Sequence, residues 1–300
     1  MEFYSHGKLL LTAEYAVLEG VKALAVPTKR GQFLRVEHTT EGTIKWQSFT
    51  VEGKLWIDCV FDLKLNCLSS RKGSSNVIKQ LSVILKTLNR LSPNFFAEGI
   101  ALSTRLEFPL DWGLGSSSTL INNLAQWVGI NPYLLLEETM GGSGYDIAAA
   151  QSETALFYRR NKFSPTIEAV LFSPPFKDKL FFVYLKEKQN SREAIAGFNE
   201  RNALNSTSKK RLEEIGTLLI NTKEQSNFNA LLKEHEDITA SFLGQISVQE
   251  LLFPDFEGQL KSLGAWGGDF ILASGDETTV DYFRQKGYPT IFRYADFILG

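Results

Sequence analysis

Pro109-Leu-Asp-Trp-Gly-Leu-Gly-Ser-Ser-Ser118 is the stretch on which the reading of this chain turns. Gly113 and Gly115 permit a tight bend that exposes several backbone N–H groups in one direction. Three hydroxyls follow at Ser116, Ser117 and Ser118, and a helical pattern then begins with Leu120, Ile121, Leu124, Trp127 and Val128 on one face. Unpaired amides and the positive end of a helix dipole converge at such a turn, which suits a phosphate. The same residues also suit an ordinary serine-capped helix after a glycine turn, and local sequence leaves both open. Competing motifs fail. A dinucleotide fingerprint needs glycine where Ser118 stands, and a Walker motif needs glycine where Glu2 precedes Gly7-Lys8. Gly141-Gly-Ser143-Gly-Tyr145 lacks the last glycine of a nucleophile elbow.

Around this stretch the chain is ordinary in bulk. Its 300 residues are 43% hydrophobic and 22% charged with a formal net charge of -2, enough for a substantial core in one domain or two. No positive excess points to nucleic acid, and no long apolar run points to a signal peptide or a membrane span. Cys59 and Cys67 lack the partners of a zinc site and read as structural thiols in a reducing cytoplasm.

Upstream of the turn, Leu9-Leu10-Leu11 and Ala23-Leu-Ala-Val26 read as buried strands. Lys8 and Glu14 flank the first of them, and burial without partners would be costly, so spacing alone places each just outside the core. Short alternating runs over residues 31–63, punctuated by Gly31, Gly42 and Gly53, predict an antiparallel meander. Val77, Ile78, Leu81, Ile84, Leu85 and Leu88 predict a helix over Ser75 to Leu88, and Gly99–Leu106 a strand feeding the turn. Downstream, Asn131-Pro132 announces a helix through Glu138. Asp146, just before alanines 148–150, reads locally as a helix N-cap. Ser173-Pro-Pro175 is the candidate hinge, and Leu180–Tyr184 opens a second part with helical patterns between Arg192 and Phe253, among them Leu212, Ile215, Leu218 and Leu219. Strands, helix, strand, turn and helix without a regular βαβ repeat make an α+β layout.

A proline, three residues and Gly-Leu-Gly-Ser-Ser closely resemble the signature of the GHMP kinases, the family of galactose, homoserine, mevalonate and phosphomevalonate kinases. Ser5-His-Gly-Lys-Leu-Leu-Leu-Thr-Ala-Glu-Tyr-Ala-Val-Leu-Glu-Gly20 resembles the first motif of its mevalonate branch, with Tyr15 in place of the usual histidine. Lys261-Ser-Leu-Gly-Ala-Trp-Gly-Gly-Asp-Phe270 resembles the third motif, with Trp266 in place of a glycine. The resemblance spans Lys8 to Phe270 and implies a two-domain α+β fold. Residues 1–174 would form a domain like ribosomal protein S5 domain 2 and residues 175–300 a ferredoxin-like one, with the active site in the cleft between them.

It further implies transfer of the γ-phosphoryl of ATP to a small alcohol or phosphate. Gly113, Leu114, Gly115, Ser116, Ser117 and Ser118 would cradle the phosphates, with Gly264 and Gly267 closing over them. Ser117 would help hold Mg²⁺, with Glu138 or Glu137 as second ligand, although the family's glutamate lies further ahead of its aspartate. Asp146 would accept the hydroxyl proton, Lys8 would keep it ionised and stabilise the transferring group, and Glu14 and Tyr15 would line the acceptor pocket. Two alternatives accompany this reading: a nucleotide-binding protein without turnover, suggested by the bulk of Trp266, and a diphosphomevalonate decarboxylase-like enzyme. The expected setting is cytoplasmic, with a small-molecule acceptor, no nucleic acid and no membrane; a homodimer stays open.

Overall fold

The structure is a computed structural model and describes residues 1–93, 95–186, 204–264, 266 and 268–300. By its internal contacts the chain divides into two units: Met1–Gly7, Arg30–Leu110 and Gly115–Gln151, and Lys8–Lys29, Asp111–Leu114 and Ser152–Gly300.

In the first unit the strands follow a period of two. After β1 (Glu2–Leu10) and β2 (Ala23–Thr39), β3 (Thr43–Phe49) buries Ile44, Trp46 and Ser48, and β4 (Leu55–Asp62) buries Ile57, Cys59 and Phe61. β5 (Cys67–Lys72) is exposed throughout, and β6 (Gly99–Leu106) buries Ile100, Leu102, Thr104 and Leu106. Their order is β5-β4-β3-β6-β2, with β1 also on β2. β3 lies parallel to β6, whereas residues 32–39 of β2 lie antiparallel to it. The sheet is therefore mixed: of the meander expected over residues 31–63 only β3 and β4 pair in antiparallel succession, and β5, beyond that range, continues it. Gly31 marks no turn but lies inside β2. A Cβ there would sit 2.1 Å from the Ser5 carbonyl oxygen and 2.6 Å from the Tyr4 ring, so close backbone approach explains the glycine.

Four helices among the described residues complete this unit. α1 (Ser75–Leu91) starts at Ser74, whose hydroxyl accepts the Val77 amide, and buries Ile78, Leu81, Ile84, Leu85 and Leu88 as its periodicity predicts. α2 (Ser116–Val128) packs on α3 (Pro132–Thr139) and α4 (Tyr145–Ala150), and α3 packs on α1. Trp46, Phe61, Leu85, Leu124 and Ile147 belong to one buried cluster, each worth about 1.5–3 kcal/mol by burial.

In the second unit β7 (Leu156–Arg159) pairs with β8 (Thr166–Ala169) and with Ala23–Ala25 of β2. A separate antiparallel sheet contains β9 (Leu180–Tyr184), β10 (Gln259–Ser262), β11 (Phe270–Ser274) and β12 (Ile291–Arg293) in the order β10-β11-β9-β12. All five residues of β9 and of β11 are buried, as their unbroken apolar runs require. Around it lie α5 (Ser206–Asn221), α6 (Gln225–Leu243), α7 (Val248–Leu252), α8 (Thr279–Gln285) and α9 (Tyr294–Phe297), with α6 against α5 and β10. The helical pattern expected from Arg192 is met from Ser206 onward; its first residues lie outside the described ones. Leu212, Ile215 and Leu219 face the core as expected, but Leu218 is exposed. No helix among the described residues is long and apolar enough to cross a membrane.

Candidate active site

In the first unit, α2 opens on Gly115, which holds the cap position at φ 87°. Glycine tolerates that left-handed backbone without strain, so the serine-capped alternative gives way to a glycine entry that leaves the serine side chains out of the cap. Ser116 and Ser118 are half-buried and Ser117 is exposed. A buried polar network roots the helix beneath them. Thr119 Oγ1 donates to Gln32 Oε1 (2.7 Å), Asn123 Nδ2 to the Gln32 carbonyl (2.9 Å), and Ser5 Oγ to Asn123 Oδ1 (2.7 Å). Asn122 Nδ2 donates to Ser5 Oγ (2.8 Å), and Gln151 Nε2 to Asn122 Oδ1 (2.7 Å). Such a satisfied network fixes one arrangement and is costly to break.

Gln151 ends α4, so the network also fixes the helix that carries Asp146. The N-cap of α4 is Gly144 at φ 87°, and Asp146 sits inside the first turn. This corrects the capping expectation: Asp146 is not the cap, and its carboxylate is favoured there by the helix dipole instead. Glu138, near the end of α3, forms an ion pair with Arg90 of α1, and Glu137 is exposed. Among the described residues no three of His, Cys, Asp and Glu gather as a metal-ligating group.

In the second unit, residues 111–114 are held from several sides. The Trp112 ring lies 5.2 Å from Phe292, 5.7 Å from Phe270 and 5.9 Å from Tyr184, measured between centroids. The Tyr184 hydroxyl donates to Asp111 Oδ2 (3.0 Å); burial first, then this bond, pushes its ionisation up. Gly113 adopts φ 65°, and a Cβ there would lie 2.0 Å from Asp269 Oδ2. Only glycine fits this close approach. Lys8, buried, donates its backbone amide to the Leu114 carbonyl (3.2 Å) and its ammonium to the Gly113 carbonyl (3.0 Å).

A second buried constellation surrounds Glu14, which is fully inaccessible. Lys261 Nζ, equally buried, lies 2.6 Å from Glu14 Oε1, donates to the Ser262 carbonyl (2.8 Å), and lies 3.4 Å from Glu236 Oε1. Glu236 also accepts from Ser262 Oγ (2.9 Å) and from Trp266 Nε1 (3.1 Å). Burial raises the Glu14 carboxyl to about 7 against the opposing pull of Lys261. His235 accepts the Ala13 amide on Nε2 (2.8 Å) and faces Thr239 Oγ1 with Nδ1 (3.3 Å). That arrangement needs the neutral ring, and burial, then Lys261, holds its pKa well below the ordinary histidine value. Lys8 and Glu14 are thus inside the core, contrary to the expectation from spacing, because each has a polar partner: the Gly113 carbonyl for Lys8 and the buried Lys261 for Glu14.

No protein-family model matches the chain, and no curated protein matches it. Solved structures do. Methanococcus jannaschii mevalonate kinase aligns at TM-score 0.69 and 15% identity, over 97% of this chain and 96% of that one. Streptococcus pneumoniae phosphomevalonate kinase, in complex with phosphomevalonate and AMPPNP, aligns at 0.68 and 15% over 99% and 96%. Lactococcus lactis galactokinase complexed with galactose aligns at 0.69 and 14% over 99% and 92%.

The chain has the GHMP kinase fold. At these identities it is the fold that is common. Within it, Lys8, Gly113 and Leu114 come together, while Gly115 to Ser118 and Asp146 are fixed through one network. Gly264 adopts φ 67° in the third glycine turn, and Gly267 lies outside the described residues. Trp266 turns its ring into a cluster with Leu243, Tyr15, Leu18, Ala240 and Phe242. Asp269, Trp112, Lys261, Glu236 and His235 are not singled out by local sequence. Asp269 alone carried a signal, since it directly follows the glycines of the third motif.

Proposed function

We propose that this protein is an ATP-dependent small-molecule kinase that transfers the γ-phosphoryl of ATP to a small alcohol or phosphate, of mevalonate or phosphomevalonate type. The observation that carries the reading is the turn at 113–118: a glycine with no room for a Cβ, a left-handed glycine cap and three serines opening α2, within a fold whose solved examples include mevalonate and phosphomevalonate kinases. Phosphoryl transfer asks mainly for positioning and charge neutralisation, and a rigid cradle of amides provides both. Gly113, Leu114, Gly115, Ser116 and Ser118 hold phosphate oxygens in this proposal, with Gly264 and Gly267 covering them.

Asp146 accepts the acceptor's hydroxyl proton, and Lys8 stabilises charge on the transferring group. Tyr15 lines the acceptor pocket, and Glu14 supports it through Lys261. Magnesium suits the exposed Ser117 hydroxyl and nucleotide oxygens, and when bound it neutralises phosphate charge. Glu138 would have to exchange Arg90 for the metal. The division at 174/175 and a cytoplasmic setting belong to the same proposal.

The test is ADP release with MgATP across mevalonate, phosphomevalonate, diphosphomevalonate and galactose. Turnover with one of the alcohols or monophosphates supports the kinase. Carbon dioxide release from the diphosphate would mark a decarboxylase, and nucleotide binding without turnover a binding protein.

A further inference from the structure

Six described residues other than glycine have positive φ, and three of them, Ala13 (62°), Tyr15 (61°) and Trp266 (50°), belong to the Glu14 constellation. Left-handed backbone costs a residue with a side chain roughly 1–2 kcal/mol, and it persists only where the surroundings over-determine it. Here the Ala13 amide is tied to His235 and the indole N–H of Trp266 to Glu236, while the rings of Tyr15 and Trp266 join one cluster around Leu243. A glycine at 266 would take the same φ without strain. The indole is therefore retained for its contacts and not for the backbone.

Those contacts connect position 266 to residues 13–15 by two routes. The ring packs with Tyr15 and Leu18. The N–H reaches Glu236, which shares Lys261 with Glu14. We propose that Trp266 is a positioning residue that braces Tyr15 and thereby narrows the choice of acceptor. This rests on the kinase reading for its substrate but not for its geometry. The ring does the bracing, so Trp266→Phe, which keeps a ring and loses the N–H, separates it from Trp266→Gly, which loses both.

With the full-length protein and its best acceptor, Trp266→Gly raises the acceptor KM at least tenfold and accepts a wider set of alcohols, with the KM for ATP within threefold of the parent. Trp266→Phe keeps the acceptor KM within threefold. Hydrogen exchange at the amides of residues 13–18 is measured on the same proteins without substrate and is at least tenfold faster in Trp266→Gly than in Trp266→Phe. If Trp266→Gly does not fold, Trp266→Leu takes its place with the same expectations. Unchanged exchange at 13–18 in the ring-less variant overturns the proposal, as does an acceptor KM that rises equally in both. If the parent turns over no acceptor, the kinase reading fails, and the exchange comparison still decides whether Trp266 braces this segment.

Discussion

Lys261→Met removes the ammonium that lies between the buried carboxylates of Glu14 and Glu236 while keeping the length and apolar character of the side chain. Lys261 and Glu14 have no accessible side-chain surface and Glu236 has 3%. Nothing in bulk water can replace the lost ammonium, so the loss resembles breaking a buried ion pair, which costs about 3–5 kcal/mol. The penalty carries a pH signature. With Lys261 present the Glu14 carboxyl titrates at about 7, so its linkage is complete above that pH. Without the ammonium it is pushed higher still, and the penalty of the substitution grows by about 1.4 kcal/mol per pH unit above 7. Urea unfolding followed by tryptophan fluorescence at pH 7, 8 and 9 measures it. Lys261→Met/Glu14→Gln, which also removes one stranded carboxylate, should recover at least half of the loss at pH 8. A penalty under about 1 kcal/mol at pH 8, independent of pH, would refute a buried ionic latch.

Three further predictions follow from the same geometry. Asp146→Asn should lower kcat ~100-fold or more with nucleotide affinity and melting temperature nearly unchanged, because Gly144 and not Asp146 caps α4; a loss of stability with normal turnover would restore the capping role. Gly113→Ala should weaken AMPPNP binding at least tenfold by calorimetry, since its Cβ meets Asp269, and Gly113→Ala/Asp269→Ala should recover part of it. Stability against pH should show two opposed contributions. Glu14, raised from 4.5 to about 7, stabilises the fold fully below pH 4.5 and loses that contribution, about 3 kcal/mol, as pH rises to 7. His235, lowered from 6.5, contributes above that value and loses its share as pH falls. Relative to the parent, Glu14→Gln should therefore lose stability more steeply on acidification below 6.5, and His235→Gln more steeply on raising pH from 4.5 to 7.

What was legible in the sequence was local. The face of α1 followed from apolar spacing, and the Asn131-Pro132 start of α3 from one side chain that accepts the Tyr133 amide and one ring suited to the first turn. Gly113 and Gly115 announced their left-handed turns. Misreadings arose where a partner distant in sequence decides. Gly31 looked like a turn because the crowding by Tyr4 and Ser5 comes from another strand. The Asp146 reading failed for a local reason instead: it stands just before the alanine run, but α4 starts on Gly144, two residues earlier. Glu14 and Lys261 stand 247 positions apart, and no periodicity links a buried charge to a partner at that distance. The parallel pairing of β3 with β6 was invisible for the same reason.

Phosphoryl transfer with Asp146 as the proposed base is tested most directly with γ-labelled ATP. Parent protein and Asp146→Asn are incubated with labelled MgATP and, in turn, mevalonate, phosphomevalonate and galactose, and label is followed into the acceptor. Stoichiometric label on one acceptor is expected with the parent, and labelling at least ~100-fold slower with Asp146→Asn. Label that stays on ATP or appears only as inorganic phosphate with every acceptor, while AMPPNP binds normally, would contradict it.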